Sequence, residues 1–267
     1  MKRLKDLQSL DGRVAIVTGG SGHLGLAFAQ SLSELGAIVA IVDLKQDACD
    51  ARAKDIEAHS GIKACGIAAD LADPTSAETI VKKTQEAFGR IDILVNNAAF
   101  TGVSGLAGYA VPFNDQSLDA WESAMRVNLT AAFLLVKAAR EALDASGHGA
   151  IINIGSIYGI GGPDLSLYAD TTLEMPAAYA ASKGGLMNLT KYLSTVLAPK
   201  IRVNAISPGG IERGQAETFQ ERYVAKTPMR RMATEEDFKG ALAFLASDAS
   251  QYVTGQNLIV DGGWSAW

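Results

Sequence analysis

The sequence predicts an α/β fold: one doubly wound, seven-stranded parallel sheet with helices on both faces, in a single domain over 1–267. Three observations predict it. Short apolar runs alternate with helical patterns along the chain, the rhythm of a parallel sheet covered on both sides. The runs are continuously apolar, as strands buried on both faces are. No linker or low-complexity stretch interrupts them, and 267 residues suit one large α/β domain.

The elements follow in order. Residues 1–12 are polar and expected at the surface. Arg13–Thr18 is the first buried strand, and a glycine-rich turn to Gly25 leads into a helix over 24–35 that Gly36 closes. Ala37–Val42 is the second strand, ending at Asp43. Helix, strand and helix follow at 46–60, 62–69 and 74–88. Ile91–Val95 is the fourth strand and runs into Asn96, Asn97, Ala98 and Ala99. Glycine and polar residues make 100–116 a loop, and a long helical pattern fills 117–145. Ala150–Ile154 is the fifth strand and ends at Gly155 and Ser156. A polar segment, 159–175, precedes a helix at 176–198, which Pro176 and four alanines favour. Ile201–Ile206 is the sixth strand, followed by Ser207, Pro208, Gly209 and Gly210. The charged stretch 211–228 reads as a mobile flap, and a helix at 234–246 and a strand at 257–260 close the chain.

Composition excludes several classes. The chain is 48% hydrophobic, enough for a sizeable core, and its 24 basic and 29 acidic residues leave a net charge of −5. Nucleic acid and anionic membranes need a basic face, so neither is an expected partner. Cys49 and Cys65 lack metal-like spacing and read as free thiols of a reducing compartment. With His23, His59 and His148 scattered, no metal site is expected. No apolar core follows Lys2, Arg3 and Lys5, and no run is long enough to span a bilayer. The expected location is the cytoplasm.

Two motifs carry chemistry. Gly20-Ser21-Gly22-His23-Leu24-Gly25 matches G-x-G-x-x-G between a strand and a helix, where glycines let a pyrophosphate approach the backbone and the helix N-terminus stabilises its charge. Asp43 lies 43 − 25 = 18 residues beyond the last glycine. A carboxylate there accepts hydrogen bonds from adenosine ribose hydroxyls and repels a 2′-phosphate, which favours NAD over NADP; capping a helix is its other reading. Tyr179 and Lys183 stand four apart on a predicted helix and share a face. An ammonium about 5–6 Å from a phenol favours the phenolate by roughly 3 kcal/mol at an effective dielectric near 20. That lowering brings a tyrosine within working range of an acid–base catalyst. Alone, the pair also suits an ordinary amphipathic helix.

Taken together, these residues resemble the short-chain dehydrogenase/reductase family, in its shorter-chain branch, over nearly the whole chain. Thr18 to Gly25, Asn96-Asn97-Ala98, Asn128, Ser156, Tyr179 with Lys183, Pro208-Gly209 and the closing 253–263 stretch all occur in family order. The resemblance implies a Rossmann-like fold and an NAD-dependent oxidoreductase that interconverts a secondary alcohol and a ketone. It implies that Tyr179 is the general acid/base, that Lys183 lowers its pKa and binds the nicotinamide ribose, and that Ser156 holds the substrate oxygen. Asn128 would hold a water of a proton relay. Cofactor contacts would come from Thr18, Gly19, Ser21, Gly22, His23, Leu24 and Gly25, from Asp43, and from Asp70 and Leu71 near the adenine. Asn97, Ala98, Pro208, Gly209 and Ile211, with Tyr179 and Lys183, would complete them. Ser156 also reads as a turn residue, Asn128 as a buried helix polar and Asp70 as a cap of the 74–88 helix. The resemblance further implies a homotetramer, with Trp264 and Trp267 at a subunit contact or else packed on their own subunit.

Three departures from the family pattern stand out. His23 replaces a glycine, and Gly19-x-x-Gly22-x-x-Gly25 resembles the longer-chain branch that handles nucleotide sugars. Arg213 stands where the family offers a threonine to the nicotinamide amide. Ser156 and Tyr179 lie 179 − 156 = 23 residues apart, roughly twice the family's gap, so 162–175 reads as an insertion beside the substrate. Its Asp164, Ser166, Tyr168, Asp170, Thr171, Thr172 and Glu174 suit a polyhydroxylated substrate, or mark a surface loop. The insertion and the Asp-Gly-Gly-Trp ending resemble members from bacterial surface-sugar and flagellin-modification pathways. Arg213, Arg222, Arg230 and Arg231 would meet a phosphate on such a sugar, or stand solvated. Alternative readings are a sugar-nucleotide epimerase or dehydratase, and a catalytically silent NAD-binding regulator. The regulator would be expected to lose Tyr179, Lys183 or Ser156, and all three are present.

Overall fold

Seven short apolar runs pair into one parallel sheet. The computed structural model describes residues 1–100, 105–170 and 174–267. Its strands are β1 (Val14–Thr18), β2 (Ile38–Asp43), β3 (Ala64–Ala68), β4 (Ile93–Asn96), β5 (Gly149–Ile154), β6 (Ile201–Pro208) and β7 (Asn257–Val260), in the order β3-β2-β1-β4-β5-β6-β7. Every neighbouring pair is parallel. The helices are α1 (Leu4–Gln8), α2 (His23–Glu34), α3 (Gln46–Ser60), α4 (Ser76–Phe88), α5 (Leu118–Met125), α6 (Ala131–Ser146), α7 (Ala177–Val196), α8 (Glu217–Lys226) and α9 (Lys239–Ala246).

Two apolar layers hold the helices on. On one face Phe28 and Leu32 of α2 and Leu242 and Leu245 of α9 pack on Ala15, Val17 and Ile152. On the other, Ile80 of α4, Leu135 and Leu143 of α6 and Leu193 of α7 pack on Ile16, Leu94 and Ile151. Each fully buried large apolar side chain contributes about 1.5–3 kcal/mol. Adjacent residues of β1 serve opposite layers, so the run must be apolar throughout. The strand order reverses between β1 and β4, and that switch point opens a crevice at the carboxyl ends of the strands.

Four segments differ from expectation. Residues 1–12 are not wholly superficial: Leu10 is fully buried and its N–H donates to Leu35 O at 2.8 Å. The helix expected over 117–145 is interrupted by a π-turn, Arg126–Thr130, between α5 and α6. The stretch 211–228 carries α8, and the helix over 234–246 starts as a 3-10 turn at Glu235–Phe238. Among the described residues no helix is long and apolar enough to cross a membrane.

Candidate active site

The crevice floor is backbone held by one hydroxyl. Thr18 ends β1; its Oγ1 donates to Val95 O (3.3 Å) and accepts from Asn97 N (3.0 Å) and Ala98 N (3.1 Å). The Asn97 amide donates to Thr18 O at 2.9 Å. Gly19 has φ +62°, and a Cβ there would stand 3.0 Å from Ala98 Cα. A Cβ at Gly25 would fall 2.0 Å from Gly19 O, so only glycine lets α2 start directly against the turn. Gly22 is the N-cap of α2, and His23, its first residue, is exposed. Leu24 packs against the core.

Asp43 points at this turn. One carboxylate oxygen accepts from Ser21 N at 3.1 Å and from the Ser21 hydroxyl; the other accepts from Leu44 N at 2.8 Å. It does not cap α3, whose N-cap is Lys45. Bare backbone that a Cβ would fill, a helix N-terminus and an acid at the end of β2 fit a dinucleotide. Asp70 is exposed and does not cap α4; its Oδ1 accepts from Ala72 N at 2.9 Å, while Leu71 packs on the second apolar layer. Pro208 ends β6, Gly209 N donates to Val260 O at 2.9 Å, and Ile211 bridges Ala233.

Beside the turn, β5 and α7 bring three side chains together. Lys183 is buried and its Nζ donates to Ile154 O, the last residue of β5, at 2.7 Å. The same Nζ lies 5.7 Å from the centre of the Tyr179 ring. Ser156 is buried just beyond β5, close enough to the Tyr179 phenol to pull its pKa down. Its Oγ also accepts from Tyr158 N at 3.2 Å, so it serves the turn as well. Asn128 sits on the π-turn: Oδ1 accepts from Phe100 N (2.7 Å) and Nδ2 donates to Ser182 Oγ (3.0 Å), which donates to Tyr179 O (2.9 Å). π-turns of this kind are frequent at functional sites.

The titration of the pair differs from expectation. Burial pushes the Lys183 ammonium down to about 8. Burial also raises the Tyr179 phenol above its ordinary value; the Ser156 hydrogen bond pulls it back, Tyr168 pushes it up and the Arg213 charge pulls it down. The expected lowering by Lys183 is not among the causes of the shift: removing both groups from water disfavours both charged forms.

The outer wall is built from segments far apart in sequence. Tyr168 neighbours Tyr158 and leans on Phe219 of α8, with ring centres 5.5 Å apart. Phe219 stacks on Tyr223, and Tyr223 on Trp264 at 4.3 Å. Tyr223 OH accepts from Gly210 N at 2.6 Å, which joins the stack to the end of β6. Asp164 pairs with Lys226, and Asp170 with Arg222 at 2.9 Å. Trp264 thus packs on its own subunit, whereas Trp267 is exposed and donates from Nε1 to Lys226 O at 3.1 Å.

These contacts revise the polar inventory of the insertion. Asp164 accepts from Ser166 as well as Lys226, Asp170 is held by Arg222, and Glu174 accepts from Phe113 N at 3.2 Å. All three of its acids therefore bind protein; Thr171 and Thr172 lie outside the described residues. Three of the four flap arginines are likewise engaged. Arg222 also donates to Ala169 O (2.6 Å), Arg230 to Ala225 O (2.9 Å), and Arg231 forms a two-pronged pair with Asp237 at 2.6 Å. Sequence reasoning missed Tyr158, Phe219 and Tyr223. Tyr158 had a signal, standing two residues after Ser156; the other two had none, because their partners lie up to about fifty residues away.

A dinucleotide cradle at a topological switch point, with serine, tyrosine and lysine beside it, defines a nucleotide-dependent oxidoreductase. Residues 21–265 match the family model described as enoyl-(acyl carrier protein) reductase. The chain is 35% identical over 260 residues to cis-4-hydroxycyclohexanecarboxylate dehydrogenase of Sinomonas cyclohexanicum, covering 95% of this chain and 97% of that one. It is 35% identical over 262 residues to D-threitol dehydrogenase of Mycolicibacterium smegmatis, covering 96% and 94%. The crystal structure of a gluconate 5-dehydrogenase from Burkholderia cenocepacia, in complex with NADP and tartrate, superposes with a TM-score of 0.87 at 32% identity, covering 99% of this chain and all of that one. The chain belongs to the short-chain dehydrogenase/reductase family, NAD(P)-dependent oxidoreductases acting on CH–OH groups.

Proposed function

We propose that this enzyme interconverts a secondary alcohol and a ketone with NAD, in a single domain that supplies both cofactor and catalytic groups. The observation that carries the reading is the convergence of Ser156, Tyr179 and Lys183 at the carboxyl end of β5, beside the glycine turn. Bound NAD supplies the hydride acceptor. Ser156 holds the carbinol oxygen, Tyr179 takes its proton, and Lys183, anchored on Ile154 O, sets the charge behind the phenol. Asn128 holds the α5–α6 junction against the Tyr179 backbone through Ser182.

NAD is favoured over NADP because Asp43 puts a negative charge where a 2′-phosphate would sit. The substrate is a sugar or sugar-derived alcohol, as in the bacterial surface-sugar members that the insertion resembles. The threitol and gluconate dehydrogenases among its relatives support that class. A cytoplasmic location suits the two free thiols. A homotetramer suits the exposed Phe133 and Tyr192, which line one groove between α6 and α7 with Leu129 and Leu189.

Absorbance tests the reading. With polyols and sugar acids, NAD should yield NADH faster than NADP yields NADPH. Tyr179→Phe should lower kcat by about 10²–10⁴-fold while a fluorescence titration shows NADH still bound. Near-normal turnover in that variant would remove Tyr179 from the mechanism.

A further inference from the structure

Arg213 and Arg230 are the two arginines in and beside the flap that keep two guanidinium nitrogens without a hydrogen bond among the described residues, and Arg213 is the one that follows directly on the end of β6. Its Nε donates to Glu235 Oε1 at 3.3 Å, and the other two nitrogens make no hydrogen bond there. Arg222 and Arg231 use both Nη nitrogens, whereas Arg230 uses Nη1 alone, on Ala225 O. The Arg213 backbone is pinned. Ile211 bridges Ala233, Glu212 N donates to Ala233 O at 2.9 Å, and Arg213 N donates to Gln215 Oε1 at 2.8 Å. Gln215 in turn donates to Ile211 O at 2.8 Å, closing a small ring.

The segment leaves the carboxyl end of β6, next to β5, so Arg213 stands above the strand ends that carry Ser156. Its charge pulls the Tyr179 phenol down, in keeping with that placement. The two acids of the insertion that face α8 are neutralised by Lys226 and Arg222. Arg213, its side chain 37% exposed and paired with Glu235 through Nε alone, thus stands near the strand ends with a planar fork that suits a two-oxygen anion.

We propose that Arg213 recognises an oxyanion on the substrate, so that the enzyme prefers secondary alcohols bearing a carboxylate or phosphate remote from the carbinol carbon. This rests on the oxidoreductase reading and narrows its substrate class. The anion takes the open fork while Glu235 keeps Nε and fixes the guanidinium plane. Oxidation would then take place at the carbinol held by Ser156, its proton passing to the Tyr179 phenolate and bound NAD serving as the hydride acceptor. The acid group itself is unchanged.

Matched substrate pairs test it: hydroxy acids against their amides, and phosphorylated alcohols against the free alcohols. The acid partner should show a kcat/KM about 10- to 100-fold higher, the contribution of a charge-assisted hydrogen-bonded pair. In Arg213→Gln that ratio should collapse toward one, mostly through KM, and Arg213→Lys should restore part of it. Whichever acid shows the larger ratio identifies carboxylate or phosphate as the group read. The NADH dissociation constant, from fluorescence, should move little. Equal turnover of acid and neutral partners by the parent enzyme would overturn this inference alone. So would an Arg213→Gln variant that weakens NADH and leaves the ratio intact, since Arg213 would then serve the cofactor. Absence of turnover for every pair, with NADH bound, would overturn the oxidoreductase reading and this inference with it.

Discussion

The two walls of the cleft are held by different forces. The inner wall is sheet and helix backbone: Thr18 ties β1 to β4, Gly25 lets α2 touch the turn, and Lys183 is anchored on a carbonyl of β5. Its contacts are short, buried and mostly to main chain. The outer wall is side chain on side chain, an aromatic stack from Tyr168 to Trp264 and part-exposed ion pairs such as Asp164–Lys226. Main-chain contacts survive exchange of side chains, whereas a stack or an ion pair vanishes with one substitution. The inner wall therefore suits the chemistry shared by a family, and the outer wall suits the choice of substrate.

Breaking the inner wall should have the largest effect. Gly25→Ala puts a methyl group 2.0 Å from Gly19 O, where α2 and the turn must both give way. Stability should fall by about 1–3 kcal/mol, and NADH affinity should fall at least roughly tenfold. Urea unfolding and an NADH titration measure the two. Retained NADH affinity would mean that the turn has slack the comparison denies.

A pH effect of intermediate size comes from Lys183. Its folded-state pKa is about 8, below the ordinary 10.5. Between those values the unfolded chain binds more protons at this site, so wild-type stability rises with pH there and is lost as pH falls through 8. In Lys183→Met the contribution is gone. Relative to the parent, the variant should be more favourable at about pH 7 than at about pH 10, as urea midpoints would show. A difference that is the same at both values would show that the ammonium is better solvated than its burial implies.

Loosening the outer wall should have the smallest effect on stability. Asp164→Asn removes one charge of a part-exposed pair, side chains 29% and 43% exposed, and should cost no more than about 1 kcal/mol. Its mark should be on KM for substrate, with the NADH dissociation constant unchanged. A stability loss as large as that of Gly25→Ala would erase the distinction between the walls.

The inner wall was the legible one. Gly25 and Asp43 announce themselves by spacing from β1, and Tyr179 and Lys183 by a four-residue interval on α7, because local geometry sets which of them share a face. The direction of the Tyr179 titration was not legible, since it depends on burial. Neither was the fate of the insertion's acids. Asp164 and Asp170 looked free for a sugar, and their partners Lys226 and Arg222 are 62 and 52 residues away.

By itself the sequence determined the sheet, its seven strands and the crevice where β1 and β4 diverge, because strand and helix periods and turn chemistry are properties of neighbouring residues. It also determined which residue types stand at the strand ends. Tertiary structure alone decided which polar groups remain available. Ion pairing and stacking among the insertion, α8 and the tail are contests between residues distant in the chain. Packing settles them by occupying both Nη nitrogens of Arg222 and Arg231 and leaving those of Arg213 without a hydrogen bond among the described residues.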